Sequence, residues 1–186
     1  MKRRKKRFVL PLCLLLLLSL CAPAYAAADA PFADIHGHWA ECQMTWAQET
    51  GILTGTSSTT LSPDDTATRA MAVTVLYRYA GSPAVEGTSG FADVPADAYY
   101  ADSAACAAQA GIAAGKTETA FCPNAPVSKE DFAVMLYRLC TARHGVPEVS
   151  PDALVNIEDA GNIHGYARDA VAWAVEDLVL VNKNLP

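Results

Sequence analysis

Arg69 stands where a cation is a poor choice for folding. It follows Thr68, whose hydroxyl suits a helix N-cap. It precedes Ala70-Met71-Ala72-Val73-Thr74-Val75-Leu76-Tyr77-Arg78-Tyr79, in which Ala72, Val75, Leu76 and Tyr79 fall on one helical face. The positive end of the helix dipole disfavours a guanidinium in that first turn. Sixty positions later Ser128 and Lys129 restate cap and cation ahead of Phe132 to Cys140, and both runs close on Tyr-Arg, at Tyr77-Arg78 and Tyr137-Arg138. A mildly unfavourable choice made twice points to a role outside folding. Free N–H groups at a helix start favour an anion, and a guanidinium beside them makes a compact carboxylate site. The competing reading pairs Arg69 with Asp64 or Asp65 on the surface. Lys129 is the weaker counterpart, a point charge without the bidentate fork.

Other reactive residue types lead less far. His36 and His38 flank Gly37 without a third His nearby, and read as solvated rather than metal-binding. Asp64-Asp65 beside a helix cap reads as dipole partners rather than an acid/base pair. Nucleophile-elbow, zinc-protease and phosphate-loop motifs do not occur. No cofactor or metal is expected. Cys42, Cys106, Cys122 and Cys140 match no metal spacing. Cys106 and Cys140 lie on apolar helix faces and read as core thiols; the pairing of the four is left open. Trp39 could stack on a sugar ring, although helix packing is the slightly favoured reading. Trp46 and Trp173 read as core, and the two Tyr-Arg pairs as structural helix ends.

These residues need elements to hold them, and the elements recur. Phe32-Ala33-Asp34, Trp39-Ala40, Trp46-Ala47, Gly51-Ile52-Leu53-Thr54-Gly55 and Leu61 to Ala80 form one unit. Phe91-Ala92-Asp93, Tyr99-Tyr100, Cys106-Ala107, Gly111-Ile112-Ala113-Ala114-Gly115 and Phe121 to Cys140 form a second. Ile157-Glu158-Asp159, Tyr166-Ala167 and Trp173-Ala174 begin a third, with Leu178 and Asn182 at the two Gly positions and a helix expected to run toward Leu180. Each unit reads as helix, Gly-bounded turn, extended loop, helix. Gly51 and Gly111 suit helix C-caps, where a left-handed backbone favours Gly. Pro- and Gly-rich joints lie at 81–90 and 144–151. Such units need neighbours to bury their apolar faces.

The N-terminal 26 residues read as a secretory signal peptide: six Lys or Arg in Met1–Arg7, an apolar run Phe8–Leu20 and the cleavage site Ala24-Tyr25-Ala26. A lipoprotein reading through Cys21 is disfavoured by the large Leu20 before it. Without that segment 8 Lys and Arg face 20 Asp and Glu, a net charge near −12. This argues against nucleic acid or an anionic membrane as partner. No membrane span is expected after cleavage.

The fixed order aromatic-x-Asp, Trp-Ala, Gly-Ile-x-x-Gly, apolar-x-Pro and Thr-Arg-Ala resembles the S-layer homology (SLH) repeat over about residues 32 to 186. The resemblance implies an all-α, pseudo-threefold helical bundle of tandem helix-loop-helix repeats, at 32–81, 91–142 and, truncated, 157–186. It implies an exported, non-enzymatic module held non-covalently at the bacterial cell surface by an anionic, often pyruvylated, secondary cell-wall polysaccharide. The family's binding positions map to Asp34, Trp39, Gly51, Gly55 and Arg69 in the first repeat and to Asp93, Gly111, Gly115 and Lys129 in the second, with Tyr99 for Trp. The third offers Asp159 and Tyr166. Met71 replaces the family's Glu, which would complete a capping box with Thr68; Asp131 keeps an acid in the second repeat. The alternative is a structural protein that completes its fold with another SLH chain and binds no glycan.

Overall fold

The computed structural model describes residues 32–150 and 152–177. The expected signal peptide and the continuation through Leu178, Leu180 and Asn182 lie outside the described residues. Among the described residues five α-helices follow in order: α1 Glu41–Glu49, α2 Arg69–Tyr79, α3 Ala101–Gln109, α4 Lys129–His144 and α5 Arg168–Asp177. Short 3-10 turns occupy Ala33–Ile35, Ala160–Asn162 and Gly165–Ala167. Among the described residues there is no strand, only an isolated bridge between Thr68 and Pro126. The chain is all-α.

Local chemistry sets the helix limits. Thr68 Oγ1 accepts from Met71 N at 3.3 Å, and Ser128 Oγ from Asp131 N at 3.0 Å. Each hydroxyl satisfies a donor that the helix start leaves orphaned. At the other end α1 and α3 stop on Gly51 and Gly111, at φ +75° and +68°, a conformation costly for any residue with a Cβ.

The main core joins α2, α3 and α4. Ala72, Val73 and Leu76 meet Ala104, Ala107 and Ile112, with Phe121, Met135 and Leu139 closing the cluster. A second cluster sets Ala133 of α4 against Trp173 and Ala174 of α5. The buried face of α2 is turned from the expected one. Arg69, Ala70, Ala72, Val73, Thr74 and Leu76 are buried, whereas Val75 is half-buried and Tyr79 is exposed. Helices α3 and α4 both pack on α2, so burial covers two adjoining faces and a single-stripe reading misses one. Among the described residues Cys42, Cys106, Cys122 and Cys140 are free thiols, and Cys106 and Cys140 are half-buried.

The helix pairing has an order. α3 packs on α2, and α5 packs on α4. Each unit's first helix thus lies against the second helix of the unit before it. α1 has no such neighbour among the described residues, and none of its residues is buried. Trp46, expected in the core, is 55% exposed, while Trp173 at the same helical position is 5% exposed. The difference follows from the pairing: Trp173 has Tyr137 beside it, ring centroids 5.6 Å apart.

Candidate functional site

Arg69 is 4% exposed, and the second unit is what buries it. Its Nε donates to the Phe121 carbonyl at 3.0 Å and its Nη2 to the Ala114 carbonyl at 2.7 Å. Its Cζ lies 4.8 Å from the centroid of the Phe121 ring, within cation–π range. The backbone follows the same path. Arg69 N donates to Ala125 O at 3.0 Å, Ala70 N to Pro123 O at 2.9 Å and Val127 N to Ala67 O at 3.0 Å.

Two expectations for Arg69 need correction. It is not a surface residue paired with Asp64 or Asp65. The α2 start does not offer free N–H groups either, since Arg69 and Ala70 donate to the loop of the second unit and Met71 to Thr68. The physical reason is that orphan donors at a helix start take the nearest acceptors, and here carbonyls of the 114–125 loop stand next to them. Those carbonyls also surround the guanidinium with negative partial charge, which offsets the unfavourable dipole. Burial still pulls the guanidinium below its ordinary range, opposed by the nearby Asp131 and Cys122.

Asp131 is the acid this cleft gathers around. Its Oδ2 accepts from Lys116 Nζ at 3.0 Å and its Oδ1 from the Tyr166 hydroxyl at 2.9 Å. Burial pushes its carboxyl up, but the Lys116 and Tyr166 hydrogen bonds and the charges of Lys116 and Arg69 hold it below the ordinary value. The carboxylate is therefore drawn to Lys116 of its own unit and Tyr166 of the third, and away from a capping box. Lys116, Phe121 and Asp131 in this cleft were not read as site residues from the sequence. A usable signal existed for Lys116, since it follows Gly115 directly. Beside it lies an open cavity of about 500 Å³ lined by Phe91, Gly111, Ala114, Gly115, Lys116 and Glu118, among others.

Asp34, Asp93, Gly55 and Gly115 have identifiable structural partners. Asp34 accepts from Leu61 N at 2.9 Å and Ser62 N at 2.7 Å. Asp93 accepts from Phe121 N at 2.8 Å and Cys122 N at 2.7 Å. Ser62 and Cys122 sit at φ +57° and +56°, strained for residues with a Cβ, so each carboxylate locks a left-handed turn in its own unit. The Leu61 N–H lowers the Asp34 carboxyl against burial, aided by Ser62. At Asp93 burial is outweighed by Phe121 and Cys122. Gly55 and Gly115 allow close approach: a Cβ would stand 2.6 Å from Phe32 Cε1 in one and 2.6 Å from Phe91 Cε1 in the other.

Lys129 occupies the Arg69 position of the second unit but is exposed, with no hydrogen bond or ion pair among the described residues. Arg69 is enclosed by a loop that follows α3. The corresponding segment after α5 begins beyond Asp177, outside the described residues. Trp39 is 84% exposed, its ring centroid 5.4 Å from that of His38. His38 Nε2 lies 3.4 Å from Asp64 and His36 Nδ1 3.3 Å from Glu41. Among the described residues no three His, Cys, Asp or Glu side chains are grouped to hold a metal. At the first Tyr-Arg end, Arg78 Nη1 donates to Thr54 Oγ1 of its own unit at 3.0 Å, and the Tyr77 hydroxyl to Pro83 O in the joint that follows at 2.9 Å.

Comparison with known proteins places this architecture. The S-layer homology domain model matches at residues 31–72 and 90–133. An endoglucanase of Bacillus sp. (strain KSM-635) is 33% identical over 93% of the chain and 19% of its own length. The surface-layer 125 kDa protein of Lysinibacillus sphaericus is 31% identical over 65% of the chain and 10% of its own length. The S-layer protein EA1 of Bacillus anthracis is 27% identical over 60% and 13%. The chain thus spans less than a fifth of the length of these relatives. Among the described residues no helix is long and apolar enough to cross a membrane.

Proposed function

We propose that this chain, which carries two S-layer homology domains, holds an anionic secondary cell-wall polysaccharide at the cleft between its first two units. The single observation that carries the reading is the Arg69–Asp131–Lys116 cluster. It sets two cations around one carboxylate at a junction of units, in a chain whose overall charge is −6. A ligand carboxylate, such as a pyruvyl ketal, exchanges for Asp131 at Lys116 and reaches the outer edge of the Arg69 guanidinium, whose Nη1 makes no hydrogen bond among the described residues. Gly111 and Gly115 line the adjoining cavity. Trp39 and Lys129 offer further contacts at the open surface. We read 32–81 and 91–142 as full repeats and 157–186 as a partial one. The S-layer relatives support a location at the cell surface. We read the chain as an exported, non-catalytic anchor.

The test is co-sedimentation of the purified protein with isolated sacculi before and after the polysaccharide is stripped. Binding that disappears on stripping supports the proposal; equal sedimentation in both sinks it. Lys116→Ala, at a half-exposed position, probes the cleft without removing the buried Arg69.

A further inference from the structure

Asp131 is an acid that its own helix does not need. It holds the third position of α4, and Met71 holds the third position of α2. Both helices start on a hydroxyl cap, at Thr68 and Ser128, so the start forms with an apolar side chain in that place. The counterpart of Lys116 in the first unit is Thr56, whose hydroxyl bonds to Thr60 and Ser62 of its own loop. The Lys116–Asp131 pair is therefore no requirement of the repeat. The two donors to Asp131 stand in different places. Lys116 is half-exposed and lines the cavity beside Gly111 and Gly115, whereas the Asp131 side chain is 17% exposed. Tyr166 belongs to the third unit and takes no part in that lining. Its hydroxyl is committed to Asp131 at 2.9 Å, because the neighbouring Glu130 is already held by His164, through Nδ1 at 2.7 Å and the backbone N–H at 3.2 Å.

We infer that Asp131 is an internal competitor for the ligand carboxylate at Lys116, and that Tyr166 is the positioning residue that holds Asp131 when the ligand takes its place. The inference rests on the reading of this cleft as the glycan site and adds what sets its affinity. An entering carboxylate breaks the Lys116–Asp131 ion pair and forms its own with Lys116. Asp131 stays charged and keeps the Tyr166 hydroxyl, with the charge of Arg69 nearby. Without that hydroxyl the displaced carboxylate is left with no side-chain donor among the described residues, and an unpaired, mostly buried charged acceptor is costly. The third unit thus sets the affinity of a cavity that it does not line. A selectivity follows as well. An anion that gains Lys116 alone exchanges one ion pair for another, so net binding comes from the further contacts that a larger ligand makes in the cavity.

The experiment titrates the whole protein against isolated sacculi, native and stripped of polysaccharide. Asp131→Asn is expected to bind native sacculi about fivefold more tightly than wild type. So is Asp131→Met, which gives α4 the residue that α2 already carries at this position. Adding Lys116→Ala to either removes the gain. Asp97→Asn, at an exposed acid with no side-chain partner among the described residues, matches the change of charge and is expected to bind as wild type. Tyr166→Phe is expected to bind about threefold more weakly and to have no effect in the Asp131→Met background, a dependence that general loss of structure would not produce. Asp131 variants that bind no more tightly than wild type, at unchanged circular dichroism, overturn the inference, while wild-type binding that disappears on stripping leaves the glycan reading standing. A gain matched by Asp97→Asn belongs to net charge and overturns the inference too. Equal sedimentation with native and stripped sacculi in wild type and variants alike overturns both.

Discussion

Arg69 lies over the ring of Phe121 while its Nε donates to the carbonyl of that same residue. One side chain of the first unit thereby grips both faces of a loop in the second. Removing it strands the Phe121 carbonyl in a buried setting, and an unsatisfied buried acceptor costs about 1–3 kcal/mol, whereas the Ala114 carbonyl is part-exposed and open to water. Arg69→Met is expected to lower unfolding stability by roughly 1–3 kcal/mol in urea titration. Arg69→Lys recovers only part of the loss, because an ammonium cannot bond Ala114 and Phe121 in the geometry of the planar fork. An unchanged midpoint for Arg69→Met would show the junction to be held by packing alone.

Asp93 and Cys122 form a pair in which a carboxylate stabilises a left-handed turn. Asp93→Ala loses two hydrogen bonds to a charged acceptor and is expected to cost about 2 kcal/mol. Adding Cys122→Gly removes the Cβ strain at φ +56° and should restore roughly 1 kcal/mol. Thermal denaturation of the two single variants and the double variant measures the coupling.

Acid stability follows from the same groups. The Asp34, Asp93 and Asp131 carboxyls all titrate below their ordinary value in the folded chain. A depressed folded pKa stabilises above the unfolded value, near 4, and that contribution is lost as pH falls through the folded value. The melting temperature is therefore expected to hold from neutral pH to about 4 and to drop below it. Asp93→Asn should flatten the drop, and a profile identical to wild type would assign acid unfolding to other groups.

Tyr166 gives an alkaline signature. Loss of water around its hydroxyl, the hydrogen bond to Asp131 and the charges of Asp131 and Glu130 push it up to about 12. Because the folded value is raised, its contribution to stability is complete below the unfolded value near 10 and is lost as pH rises through about 12. In a titration at 295 nm, the difference between wild type and Tyr166→Phe should appear near pH 12. A difference centred near 10 would place the ring in water, detached from α4.

Gly55 and Gly51 separate crowding from backbone strain. Gly55→Ala pushes a Cβ to 2.6 Å from Phe32 Cε1 and Ser57 O, and overpacking of this kind costs about 1–3 kcal/mol beyond the strain of positive φ. Gly51→Ala meets nothing within 4 Å and should cost only the left-handed strain, about 1 kcal/mol. Equal losses in chemical denaturation would mean that Phe32 moves aside.

The sequence by itself determined the local structure. The helix starts at Thr68 and Ser128, the stops at Gly51 and Gly111 and the unit order are all written in residue type and spacing, because caps and turns are decided by a few neighbouring atoms. The similarity of Trp39 to Tyr99 and Tyr166, and of Arg69 to Lys129, was legible in the same way. What each of those residues does was decided only by tertiary structure. Arg69 and Lys129 occupy one position in two units, yet one is enclosed by the loop after α3 and the other is exposed. Trp46 and Trp173 likewise share a helical position, and among the described residues a helix covers Trp173 but not Trp46. Burial depends on what the following or preceding unit places against a side chain, and that contact lies tens of residues away, beyond the reach of a local pattern.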